Sequence, residues 1–154
     1  SLRSRGLGDV YKRQSEESAV DADNWFDTGD ISSIDPDGYM AIVDREKDVI
    51  KSGGEWISSI DLENVIANHP DVLQTAVVGI PHPKWDERPL LFIVSNSGNE
   101  FDRSELDDLM LEKFEKWQLP DDVVFLKELP IGATGKVKKI DLRQEYTDHY
   151  MKEA

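Results

Sequence analysis

A lysine stands alone behind a glycine in the segment LPIGATGKVKKIDLR, residues 129–143. Lys136 follows Thr134-Gly135 in a loop opened by Pro130 and Gly132, and Lys138, Lys139 and Arg143 follow it. A primary ammonium on a flexible, glycine-flanked tip can enter a site built elsewhere and act as a point charge on phosphate or carboxylate oxygens. The spacing is not that of a phosphate-binding P-loop, which needs G-x-x-x-x-G-K-[ST]. Here two residues separate Gly132 from Gly135, and Val137 follows the lysine where a magnesium-binding hydroxyl would stand. On spacing alone Lys136 is as well an ordinary solvated loop residue.

Three other stretches hold residues fit for ligand chemistry. In WFDTGD, residues 25–30, Asp30 lies just past Thr28-Gly29 at the mouth of an expected hairpin. Such a carboxylate can accept two hydrogen bonds from a vicinal diol, as on a ribose, each worth about 1.5–3 kcal/mol when charge-assisted. DREKD, residues 44–48, alternates charge without apolar anchors, as suits a linker between two bodies, and Arg45 could donate to ribose or phosphate. KSGGEW, residues 51–56, places Lys51 and Trp56 around Gly53-Gly54, where a ligand could approach the backbone closely. Trp56 could stack on a base or simply pack. Each stretch also has a plain reading, as a turn aspartate or a solvated charge run.

The elements that must position these residues follow from periodicity. Ile31 to Asp35 and Tyr39 to Asp44 read as strands joined by Asp35-Pro36-Asp37-Gly38, a strong turn signal. A short extended stretch, Asp48 to Lys51, comes next. Ser58 caps a helix with Asp61 three residues on; Leu62, Val65 and Ile66 share one face, and His69-Pro70 ends it. Val72 to Ile80 and Pro89 to Ser95 read as core strands, with Asp86-Glu87-Arg88 as a loop paired with its own neighbours. A second helix opens at Asp102, its apolar stripe running through Leu106, Leu109, Met110, Phe114 and Trp117. Val123 to Leu126 is the last strand, and a polar helix starts near Ile140. The pattern predicts an α+β domain: a small mixed sheet with flanking helices, preceded by a β-hairpin.

Composition narrows the function classes. The chain has 154 residues, about one ordinary domain, with 38% hydrophobic and 32% charged residues. It has no cysteine, which removes disulfides, thiolate metal sites and a cysteine nucleophile. Its formal charge is −14, so its surface repels nucleic acid and anionic membranes, and no apolar run is long enough to span a bilayer. No secretory signal is evident, which makes the cytoplasm the expected compartment. His69, His82 and His149 lack metal-ligand spacing and are expected at the surface or in turns.

The ordered set, TGD at residues 28–30, DREKDVIKSGGEWISSIDLENVI at 44–66 and TGK at 134–136, resembles the adenylate-forming superfamily of acyl-CoA synthetases, peptide-synthetase adenylation domains and luciferases. The resemblance covers nearly all of residues 20–146. It implies that Asp30, within the Thr28 to Asp30 segment, binds the ribose hydroxyls of ATP and that Arg45 also contacts the ribose. Lys47 would be the hinge between a large and a small domain. Lys51, Gly53, Gly54 and Trp56 would lie on the thioester-forming, CoA side, with Glu63 closing that motif. Lys136 would contact the substrate carboxylate and the α-phosphate during adenylation. KDVIKSGGEWISSIDLENVI and GIPHPKWDERPLL look most like medium- and long-chain fatty-acyl-CoA synthetases and relatives acting on methylthio-alkanoates.

The resemblance further implies a division of the chain. Residues 1–14 resemble translated adapter sequence, residues 15–46 would be the tail of the large AMP-binding domain, residues 47–148 the C-terminal lid and residues 149–154 a tail. Substrates would be a carboxylic acid, ATP and CoA, with Mg2+ held in the large domain, which would also be the lid's protein partner. The chain is then expected to be a C-terminal fragment of an acid–thiol ligase and inactive alone. The alternatives are a freestanding nucleotide- or protein-binding module and a peptide-synthetase fragment.

Overall fold

The computed structural model describes residue 23 and residues 25–153, and the adapter-like segment 1–14 lies outside the described residues. Strands β1 (Asp30–Ile34) and β2 (Met40–Arg45) pair antiparallel as the expected hairpin. Its turn is built by Asp35, whose Oδ1 accepts the amides of Asp37 and Tyr39 at 3.0 and 2.9 Å. That local bonding is why an Asp-Pro-Asp-Gly run turns the chain.

The second sheet contains β3 (Ile50–Ser52), β4 (Glu55–Ile57), β5 (Val72–His82), β6 (Asp86–Ser95) and β7 (Asp122–Phe125). β6 is its spine. β5 runs antiparallel along one edge of β6, from Val72 opposite Ser95 to His82 opposite Asp86. The other edge is shared: β3 pairs at Ser52 opposite Asp86, and β7 runs parallel from Leu90 opposite Asp122 to Ile93 opposite Phe125. Both faces of this strand are covered, so Leu90 to Val94 is apolar without alternation.

Helices α1 (Ser59–Ile66) and α2 (Arg103–Leu111) cover one face. There Leu62, Val65, Ile66, Leu106 and Met110 pack on Val77, Leu91 and Ile93. The other face carries Ala76, Val78, Ile80, Leu90, Phe92 and Val94, and receives Leu129, Tyr150 and Leu142 of α3 (Lys139–Glu145). Burying each large apolar side chain in these layers contributes about 1.5–3 kcal/mol. Ser58 caps α1 by accepting the Asp61 amide at 3.2 Å, and Asp102 caps α2 through the Ser104 amide at 2.9 Å.

Several local expectations are corrected. Asp86-Glu87-Arg88 is not a loop but the start of β6, because a three-residue turn with Asp86 at φ 72° closes the β5–β6 hairpin. Arg88 is buried and binds Asp121, not its neighbours. The apolar stripe of α2 stops before Trp117. Glu115 and Gln118 cap a separate 3-10 turn, Lys116–Gln118, which leaves Trp117 45% exposed. His69 and His149 do lie in the turns after α1 and α3, but His69 is buried and stacks on Phe101 with centroids 4.8 Å apart, and His149 is 2.8 Å from Asp122. Among the described residues no helix is long and apolar enough to cross a membrane.

Candidate functional site

The lysine loop is more ordered than its glycines suggest. Ile131 and Val137 form a bridge across it. The Gly132 amide donates to the Lys136 carbonyl at 2.8 Å, Gly135 to Gly132 at 2.9 Å and Lys138 to Pro130 at 2.7 Å. Gly135 sits at φ +78°, where an L side chain is strained. The four basic residues have different fates. Lys138 pairs with Asp141, Lys139 with Glu63, and Arg143 donates to the Gly79 carbonyl. Lys136 is exposed, and among the described residues its ammonium pairs with no carboxylate.

The hairpin gathers a second group. Asp30 and Arg45 face each other across β1 and β2, with Arg45 Nε 3.7 Å from Asp30 Oδ1. Thr28 Oγ1 accepts the Asp30 amide at 3.3 Å, and the Glu46 amide donates to Gly29 at 2.9 Å. Thr28, Gly29, Arg45, Glu46 and Lys47 line a cleft of about 220 Å³. The Asp30 carboxylate is partly exposed and lightly held, so it has oxygens left for a diol.

The third group surrounds the β3–β4 turn. Gly53 donates its amide to Trp85 at 2.8 Å, and a Cβ added there would sit 3.1 Å from Trp85 Cε3. Ser52, Gly53, Glu55, Trp85, Arg88, Trp117 and Asp121 line a cavity of about 380 Å³. Trp56 is exposed and is not part of that lining, while Lys51 gives its amide to Glu87 at 3.0 Å. Sequence reasoning missed Trp85, Arg88 and Trp117. Arg88 spends its guanidinium on Asp121, Ser52 and the carbonyls of Trp117 and Leu119, at 2.6–3.0 Å. It fixes the cavity wall and is not a free cation.

A buried polar chain runs between the hairpin and the helices. Asp44 is fully buried, which corrects its reading as part of a solvated linker. Its Oδ2 accepts the Ser59 amide and hydroxyl at 2.8 and 3.0 Å, and its Oδ1 accepts the Arg45 amide at 2.7 Å. Lys139 Nζ donates to Ser59 Oγ at 2.7 Å and lies 2.8 Å from Glu63 Oε1, which also accepts the Val77 amide at 2.7 Å. Burial raises the Glu63 carboxyl above its ordinary value and outweighs the opposing pull of Lys139 and the Val77 amide. Among the described residues no group of three or more His, Asp or Glu converges as metal ligands would, so none is assigned to magnesium.

Known proteins resemble this chain in sequence and in fold. Residues 61–136 match the model of the AMP-binding enzyme C-terminal domain. The chain is 56% identical over 126 residues to the 3-methylmercaptopropionyl-CoA ligase of Ruegeria lacuscaerulensis, covering 82% of this chain and 23% of that enzyme. It is 52% identical over 134 residues to the long-chain-fatty-acid–CoA ligase of Thermus thermophilus, covering 86% and 25%. The chain thus spans about a quarter of the length of these relatives. Among solved structures, ATP-bound MatB from Rhodopseudomonas palustris superposes with a TM-score of 0.76 at 30% identity, covering 94% of this chain and 28% of that one. The o-succinylbenzoate CoA synthetase of Bacillus subtilis, in complex with its acyl-adenylate, gives 0.76 at 31%, covering 86% and 27%. The matched region, the mixed sheet and these likenesses agree: the chain belongs to the AMP-binding enzyme C-terminal domain family.

Proposed function

We propose that the chain is the last hairpin and the rotating lid of an ATP-dependent acyl-CoA ligase acting on an aliphatic carboxylic acid. The carrying observation is that Asp30 and Arg45 meet across the hairpin, beside a cleft that ends at Lys47. Residues 15–46 then close the large domain, residues 47–148 form the lid and Lys47 is the pivot; residues 149–154, expected as a tail, instead join the lid, since Tyr150 is buried and its hydroxyl donates to the Pro89 carbonyl. The acid attacks the α-phosphorus of ATP, its oxygen bonds to that phosphorus, and pyrophosphate leaves. Asp30 accepts the ribose hydroxyls, Thr28 supports its backbone and Arg45 donates beside it. Lys136 neutralises charge developing between the carboxylate and the α-phosphate. After rotation the turn at Gly53 and Gly54 faces the acyl-adenylate, and the CoA thiol sulfur displaces AMP. The cavity walled by Trp85 and Trp117 beside Gly53 supports the CoA-side reading, with Lys51 and Trp56 on the adjoining strands. Magnesium, when bound, would screen phosphate charge from the preceding domain. Relatives named for methylmercaptopropionate and for medium- and long-chain fatty acids support an aliphatic substrate.

The test is Lys136→Ala in the intact ligase. Acid-dependent pyrophosphate exchange should fall by about 10²–10³, the usual cost of one lost transition-state contact. Thioester formation from supplied acyl-adenylate should stay near wild type. Unchanged exchange would remove Lys136 from the first step and with it this reading.

A further inference from the structure

A pivot at Lys47 divides the buried polar chain. Asp44 lies before it on β2; Ser59, Glu63 and Lys139 lie after it. We propose that Asp44, Ser59 and Lys139 form a latch across this pivot, which holds the lid in one orientation and sets the base of the Lys136 loop. The proposal rests on the pivot reading above and concerns how that motion is restrained.

The geometry is suited to a contact that both holds and releases. One oxygen of Asp44 takes both polar hydrogens of Ser59, the first residue of α1, at 2.8 and 3.0 Å. The carboxylate therefore faces a helix N-terminus, where backbone amides and dipole favour negative charge. Asp44 and Ser59 are both 0% exposed, so water does not compete for these bonds. Ser59 Oγ donates to Asp44 and accepts from Lys139, which ties the hairpin to a residue three positions beyond Lys136.

Breaking this contact leaves no charge stranded in the lid. Lys139 and Glu63, 2.8 Å apart, both lie beyond the pivot and travel together. Asp44 departs with the hairpin, where its carboxylate can be hydrated. The lid surrenders one acceptor and keeps its ion pair. A permanent weld would instead place an unpaired partner on each side, a costly arrangement. Asp44, Ser59 and Lys139 are thus positioning residues and touch no substrate.

The 154-residue chain contains no cysteine, so paired cysteines introduced at Asp37 and Asn99 would carry spin labels without background. Asp37 lies in the hairpin turn and Asn99 in an exposed lid loop. Pulsed dipolar spectroscopy should give one narrow distance for the parent chain. Ser59→Ala and Asp44→Asn should broaden it or add a second population, and Ser59→Thr, which keeps the hydroxyl, should retain it. Ser59→Ala leaves the carboxylate in place, so it tests the latch even if the Asp44 variant folds poorly. An unchanged distribution in Ser59→Ala overturns the latch.

The distances need no catalysis, which separates the two readings. Broadening in a protein whose intact form shows no acid-dependent pyrophosphate exchange keeps the latch and discards the ligase. Unchanged distances beside an active ligase do the reverse. Where both hold, Ser59→Ala should shift the ratio of the adenylation and thioester rates by about tenfold, the effect of one lost charge-assisted hydrogen bond. A purely structural role would lower both rates alike.

Discussion

At the scale of single residues, Glu63 shows burial winning over charge pairing. Lys139 and the Val77 amide both favour its ionised form, yet desolvation sets the net shift upward from 4.5. A group with a raised folded pKa binds its proton more tightly when folded. Its stabilising contribution is therefore complete below the unfolded value and is lost as pH rises through the folded value. Glu63→Gln should remove this component. The variant should melt close to the parent chain below about pH 4.5, where Glu63 carries its proton, and its Tm should fall less than that of the parent chain as pH rises above that value. Thermal melts across that window decide the matter, and parallel curves for the two proteins would contradict it. Arg88 poses the complementary case. Its guanidinium is satisfied by residues 29–33 positions away as well as by Ser52. It is a structural post beside a cavity and not a charge offered to ligand.

At the scale of elements, the β3–β4 turn is tightly specified. Gly53 sits at φ +60°, and any Cβ there would press on the Trp85 ring. Gly38 sits at φ +88° with nothing within 4 Å. Both Gly→Ala variants should cost about 1–2 kcal/mol of backbone strain. Only Gly53→Ala should also displace Trp85; on the proposed ligase reading, that variant of the intact protein should form thioester more slowly and keep its pyrophosphate exchange. Equal catalytic effects from both would show that the turn does not adjoin the thiol path. What was legible in the sequence follows the same division. The hairpin turn and both helix caps were readable because Asp35, Ser58 and Asp102 bond to amides within four residues. Asp30, Arg45, Gly53 and Lys136 could be picked out because their motifs are short and ordered. Arg88 with Asp121, and Asp44 with Ser59 and Lys139, could not, since their partners lie 15 to 80 or more residues away and no local pattern marks them. Trp117 misled for a related reason: it continues a helical stripe numerically, but the chain has already left the helix.

At the scale of the whole molecule, two sheets divide the work. The hairpin holds Asp30 and Arg45, while the five-stranded sheet carries both the Gly53 turn and, through α3, the Lys136 loop. One face of the hairpin is apolar and open at Ile34, Met40 and Ile42, each more than 60% exposed. Their exposure fits a hairpin that packs on the large domain proposed to precede it.

The central position of β6 also bears on how quickly the five-stranded sheet assembles. Its partner β5 is reached through a three-residue turn, whereas β7 arrives parallel after α2 and a long excursion. Closing the short loop costs little chain entropy, and closing the long one costs more. The β5–β6 hairpin should therefore be formed in the folding transition state, with β7 docking afterwards. Val78→Ala should mainly slow refolding, and Val124→Ala should mainly speed unfolding. Stopped-flow chevrons of the two variants would show it, and the opposite assignment would place the nucleus at the parallel edge. A sheet whose last strand locks latest is most easily lost from that edge, so β7 would be the first strand released as the protein unfolds.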